Sequence, residues 1–235
     1  MRTKYLAAGA MIAALGFGQQ ASANQIGFRF GGAGVSGSGV LTFDPTHPDA
    51  ISGGDPITGI SGTFSDANTV VPISNAAITG VFAVNPVVRP PPFPANFSVL
   101  AVTNPPPMDA AISYDNLFYP DGSPITCDGY LFFGGFLDVY GVMFQLNNGD
   151  LVDLFSNGNF SNGNDPATES LIYGAVVMDT SMDAQNSGEP TVIDNVSNGI
   201  AAGVPEPSSL WLLGTFLLGA AGWRRRSATS RAARG

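Results

Sequence analysis

From Asn24 to Gly203 no long run places its apolar residues with the 3.6-residue period of a helix. Short apolar stretches recur instead, each cut off by Gly, Pro, Asn, Ser or Thr, while helix-favouring Lys, Arg and Glu are scarce. Such a chain is confined to short strands joined by many turns. The sharpest local signal is Asn147-Asn148-Gly149-Asp150, set between apolar runs at 139–146 and 151–155. Asn-Gly in that setting specifies a β-hairpin, because both residues tolerate positive φ.

Further strands are expected at 25–30, where Ile26, Phe28 and Phe30 share one face, and at 57–64, 77–84, 113–119, 129–137, 171–177 and 191–196. The Gly/Ser-rich run 31–39, leading into Val40-Leu41-Thr42-Phe43, reads either as a linker or as strand with glycine on one face. Residues 85–107 are proline-dense, with Pro90-Pro91-Pro92 and Pro105-Pro106-Pro107, and read as a stiffened loop around an edge strand at 97–102. Nine or ten short strands make the expected fold all-β, a single β-sandwich or jelly-roll-like domain. Ala201-Ala202-Gly203 reads as a link out of that domain. The aromatic residues from Phe118 to Phe144 read as core, with one or two rings left for a sugar-stacking face.

Charge narrows the partners. Between Asn24 and Gly203 only Arg29 and Arg89 oppose seventeen acidic residues, a formal charge of −15. Nucleic acid is excluded, since its phosphates are met by Lys and Arg. A surface of that sign suits solubility and divalent cations.

Residue counts narrow the chemistry further. His47 is the only histidine and Cys127 the only cysteine, which rules out an intramolecular disulfide and leaves zinc without ligands. Gly34-Val35-Ser36-Gly37-Ser38 fails the nucleophile-elbow pattern at its last position. His47 lies in a turn-like Asp44-Pro45-Thr46-His47-Pro48-Asp49, and no carboxylate pair for glycoside cleavage is singled out. The expectation is a protein that is not an enzyme and needs no cofactor. Calcium is the one metal with support: Asp150, Asp153, Asn157, Asn159 and Asp165 supply hard oxygens on a glycine-containing segment, without EF-hand spacing. Asn-Gly turns alone account for the same residues.

The two ends are apolar and differ in kind. Residues 1–23 carry Arg2 and Lys4, an apolar stretch, then Ala21-Ser22-Ala23, the three parts of a signal peptide cut after Ala23. At the other end, Val204-Pro205-Glu206-Pro207 precedes an apolar segment at 210–223 and then Arg224-Arg225-Arg226. As a helix that segment is about 21 Å long, short for a bilayer core of about 30 Å unless flanking residues extend it and the arginines snorkel. The arginines hold the cytoplasmic side as a membrane stop, so the domain before them faces outward.

That order of motif, short membrane segment and arginine cluster resembles the PEP-CTERM sorting signal, over residues 204–235. The resemblance implies a Gram-negative host that makes exopolysaccharide, an exosortase that recognises Pro205, Glu206 and Pro207, and release of an exported body (24–203) to the surface or extracellular matrix. Ser227 to Gly235 extends past the arginines further than such signals usually do. The same C-terminal module is also labelled the C-terminal domain of ice-binding proteins, but the body has no Thr-x-Thr array on which ice binding would rest. The expected function is a structural or interaction role in an exopolysaccharide matrix. A carbohydrate-binding module, with or without calcium, is the alternative, and a secreted glycoside hydrolase the third reading.

Overall fold

A computed structural model describes residues 24–104, 108–160, 173–181 and 189–203. The leader with Ala21 and Ala23, the motif Pro205-Glu206-Pro207, the apolar segment 210–223, Arg224 to Arg226 and Asp165 lie outside them.

The described residues form strands and no helix. They are β1 (Asn24–Gly32), β2 (Val35–Phe43), β3 (Asp55–Asp66), β4 (Ile73–Val81), β5 (Ser98–Asn104), β6 (Met108–Tyr114), β7 (Leu117–Phe118), β8 (Phe132–Phe133), β9 (Val142–Leu146), β10 (Leu151–Ser156), β11 (Asn159–Phe160), β12 (Tyr173–Asp179) and β13 (Thr191–Gly203). Eight of them run β1-β2-β3-β4-β9-β10-β12-β13, and β13 returns to pair with β1. Every one of those pairings is antiparallel, so the sheet closes into an up-and-down barrel.

The all-β expectation holds, but the sheet closes on itself where a sandwich or jelly roll was expected. The closure depends on β13, which pairs with β12 from Thr191 to Ile200 and then with β1 from Ala201 to Gly203. Ala201-Ala202-Gly203 is therefore strand, not link. Its small side chains carry no strand period, and only the otherwise open edge of β1 makes it one.

An eight-stranded barrel is just wide enough for side chains to fill. Phe28, Phe30, Phe64 and Phe144 fill the middle, with Leu41, Val142, Leu154, Tyr173 and Val177 around them. Gly37 leaves room for the Phe30 ring, whose atoms lie where a Cβ would be. Gly39 and Gly62 oppose each other across β2 and β3, and a Cβ on either would meet the partner strand's backbone. The run 31–39 is thus strand with glycine facing in, apart from the turn between β1 and β2.

The loop after β4 reaches out for sixty residues before β9 begins, and it builds two coverings. The hairpin β5–β6 lies on the outer wall, where Val102 and Tyr114 pack on Met143, Leu151, Val176, Met178 and Val192. Strands β9, β10 and β12 therefore carry buried apolar residues on both faces. Phe118 and Leu137, from β7 and the segment after β8, enter the core at one barrel end, the Phe118 ring 4.6 Å from that of Phe43.

Two expected strands are broken by this excursion. Residues 113–119 divide into β6 and β7 at Asn116, where φ is +55°. Residues 129–137 keep only the two-residue β8, since Gly134 turns at φ +85° and the following residues plug the barrel end. The Asn-Gly hairpin forms as expected, with a three-residue loop: Leu146 N–H donates to Asp150 O, and positive φ falls on Gly149 alone (+96°).

Candidate functional site

The calcium candidates do not converge. Asp150 precedes β10 and is held by the Asn148 amide at 2.6 Å, while Asn157 follows the strand's far end, roughly 24 Å away by strand rise. Asp153 lies between them on the outward side, and Asn159 pairs with Phe133 in the small sheet. Among the described residues no three His, Cys, Asp or Glu side chains are grouped to hold a metal. His47 is exposed, with Nδ1 2.8 Å from Asp44 Oδ2, and Ser36 sits seven residues up β2 from Phe43, so no triad forms around Ser36.

The hollows differ in what lines them. One of about 1130 Å³ lies over the glycine- and serine-rich β1–β2 surface beside Arg29. Another, of about 830 Å³, is bordered by the β3–β4 loop and the Asn147–Asn148 turn. A third, of about 500 Å³, opens on the side of the barrel. It alone of the three combines clustered rings with a buried carboxylate oxygen that has no hydrogen-bond partner.

Four pieces of chain meet at this lateral cleft. The barrel wall gives Asp153 and Phe155 from β10, Val176 from β12, and Asn195 and Ser197 from β13. Strand alternation explains the set: Asp153 stands opposite Val176, and Val176 opposite Asn195, so all three face outward. Hairpin β5–β6 adds Ala111, Ile112 and Ser113. The proline-dense loop brings Phe93 and Phe97, and the stretch before β9 brings Cys127, Tyr130 and Tyr140. Three of the rings make one wall: Phe97 meets Tyr140 edge-on at 4.9 Å and Phe93 at 5.0 Å, while Phe93 lies nearly parallel to Tyr140 at 5.9 Å. Tyr140 is fixed by its hydroxyl, which donates to the Thr126 carbonyl at 3.1 Å. Tyr130 is 59% exposed at the rim.

Asp153 is 2% exposed, and its Oδ1 has no partner. Burial pushes its carboxyl well above the usual range, and the nearby Asp138 charge adds to the effect. Asp138 and Asp115 form a second buried acid group next to the cleft. Asp138 accepts backbone N–H from Tyr140 (2.9 Å) and Gly141 (3.1 Å) and the Tyr119 hydroxyl at 3.3 Å. Burial first, then the Asp138 charge, pushes the Asp115 carboxyl well above the usual range, and Asp115 Oδ1 accepts the Leu117 N–H at 3.1 Å. The backbone bonds to Asp138 fix the loop that carries Tyr140.

Of the residues that the sequence alone singles out, the cleft gathers Asp153, Asn157, Cys127, Tyr130 and Tyr140. Phe93 and Phe97 were missed. Their signal was in view, as aromatic residues are out of place in a loop otherwise built of Pro, Ala, Asn, Val and one Arg.

Residues 203–226 match the family model of the PEP-CTERM protein-sorting motif, which covers the Pro-Glu-Pro, the apolar segment and the three arginines. No curated protein and no solved structure matches the chain.

Proposed function

We propose, for a chain whose last described strand runs directly into a PEP-CTERM sorting motif, the mark of export and of sorting by an exosortase, a non-enzymatic matrix protein that binds polysaccharide through the lateral cleft of its barrel. The carrying observation is the ring wall of Phe93, Phe97 and Tyr140 beside the buried, unpartnered Asp153. Aromatic faces stack on sugar C–H groups, and a few convergent polar groups fix the ring's orientation.

The topology supports outward display. β1 begins and β13 ends at the same barrel end, because the two are antiparallel neighbours. The junctions to the leader and to the tail therefore point the same way, Gly203 opposite Arg29 and Asn24 about 17 Å further along β1. Six residues separate Gly203 from Leu210, at most about 25 Å of chain, which keeps that end close to the membrane while the tail is attached. Released from the tail, the barrel goes to the cell surface or matrix, where an acidic surface keeps it soluble.

The test is binding of the full chain, in detergent, to an immobilised panel of polysaccharides. At least one neutral or amine-bearing glycan is expected to bind. Tyr130→Ala, which removes an exposed ring without touching the core, is expected to weaken binding about tenfold. No binding across the panel, or an unchanged Tyr130→Ala, contradicts the proposal.

A further inference from the structure

Resting on that reading, we infer that the cleft selects a sugar bearing a protonated amine, so that its polysaccharide is an amino-sugar polymer with free amino groups. Three observations converge. Asp153 Oδ1 is buried in the cleft lining and lacks a partner. A ligand that fills the cleft without a donor for it leaves a desolvated acceptor unmet, whereas an ammonium group supplies up to three N–H donors. Phe93, Phe97, Tyr130 and Tyr140 line the same cleft, and an aromatic face is where a cation replaces part of its lost hydration. Arg89 is a cation at the cleft's edge, its guanidinium carbon 6.0 Å from the Phe97 ring centre.

Charge works in the same direction. No Lys, Arg or His lines the cleft, and the body carries −15. Uronic acid and phosphate polymers are repelled. A neutral sugar gains nothing from the carboxylate that a hydroxyl elsewhere would not give. The titratable groups facing Asp153 are Asp138, Tyr140, Tyr130 and Cys127 on the long excursion and Tyr114 on β6, and none of them is a cation.

Binding also moves a proton. Burial raises the Asp153 carboxyl in the empty cleft and so favours its protonated form. An ammonium placed against it favours the carboxylate, so the proton leaves Asp153 for the buffer as the ion pair forms. A neutral sugar leaves it in place.

The experiment titrates the full chain, in detergent at about pH 6.5, with β-1,4-linked tetramers of glucosamine, N-acetylglucosamine and glucose by calorimetry. The glucosamine tetramer is expected to bind at least tenfold more tightly than the other two, with a heat that changes with the buffer's ionisation enthalpy. Asp153→Asn is expected to remove both the preference and the buffer dependence while raising the thermal midpoint, which shows that it folds. Equal binding of all three tetramers by the natural chain overturns the amine inference and leaves polysaccharide binding standing, as does a preference that survives in Asp153→Asn. Absence of binding to any tetramer overturns the inference as well, and the polysaccharide panel then shows separately whether the broader reading survives.

Discussion

Phe64→Ala is expected to lower the stability of the barrel by about 4 kcal/mol. Phe64 has no exposed surface, and its ring lies 6.2 Å from that of Phe30 and 6.1 Å from that of Phe144. The cost of such a truncation depends on whether neighbours collapse into the space, and here they do not. On the two flanking strands the residues opposite Phe64 are Gly37 and Ala76, which have little or nothing to move. The strands themselves are held apart by backbone hydrogen bonds on both sides of β3. The thermal midpoint should fall by about 8–16 °C, at about 2–4 °C per kcal/mol for a domain of this size. Val70→Ala, at a fully exposed position in the β3–β4 loop, should leave it unchanged. A Phe64→Ala midpoint within about two degrees of the natural chain would mean that the barrel interior is not packed as described.

Stability should rise, not fall, as the pH is lowered from about 8 to about 5. Asp66 is fully buried and points into the barrel mouth from β3. Burial first, then the neighbouring Asp194 carboxylate on β13, raise its carboxyl from 3.8 to about 6, against the pull of the Asn68 N–H. The folded protein therefore holds a proton that the unfolded chain releases. That contribution is complete below about pH 4 and is lost as the pH climbs through about 6. Two units correspond to about 3 kcal/mol, which solvent at the barrel mouth reduces to about 2 kcal/mol. Burial raises Asp55, Asp115, Asp138, Asp150 and Asp153 in the same direction. Asp44 acts oppositely, lowered to about 2 first by the Thr46 hydroxyl and then by His47, and matters only as the pH falls below about 4. About half of that contribution is present at pH 5, so the thermal midpoint there is expected to exceed that at pH 8 by about 2–4 °C from Asp66 alone. Asp66→Asn, which removes the carboxyl that titrates, should stabilise the chain at pH 8 and flatten the profile between pH 4 and 6. A natural chain more stable at pH 8 than at pH 5 would refute the buried, protonated state of these carboxyls.

The parts of the fold that depend on local chemistry were legible in the sequence. Alternation at Ile26, Phe28 and Phe30 placed β1 and its inner face, and the Asn147-Asn148-Gly149 turn placed β9 and β10. What escaped depends on contacts between distant segments. Closure by Ala201 to Gly203 has no local cue, because alanine and glycine become strand there only through the free edge of β1. The break at Asn116 is likewise decided by where β7 must go, to pair with the start of β3. The same holds at the cleft. Asp153 was seen as one oxygen in an Asp/Asn-rich segment, yet period two turns it away from Asp150's turn and under the β5–β6 hairpin. The proline-dense segment was read as a stiffened loop, and its two phenylalanines acquire meaning only when the excursion folds back on the wall.

Cys127 gives the most direct test of the cleft, because it is the chain's single cysteine and forms part of the lining. The rate at which a maleimide alkylates it, measured on the full chain with and without saturating glucosamine tetramer, reports occupancy at that place and nowhere else. Sugar seated against Tyr130, Tyr140 and Asp153 should slow the reaction several-fold, and Tyr130→Ala should require more sugar for the same protection. An alkylation rate unchanged by a tetramer that calorimetry shows to be bound would put the polysaccharide site elsewhere on the barrel.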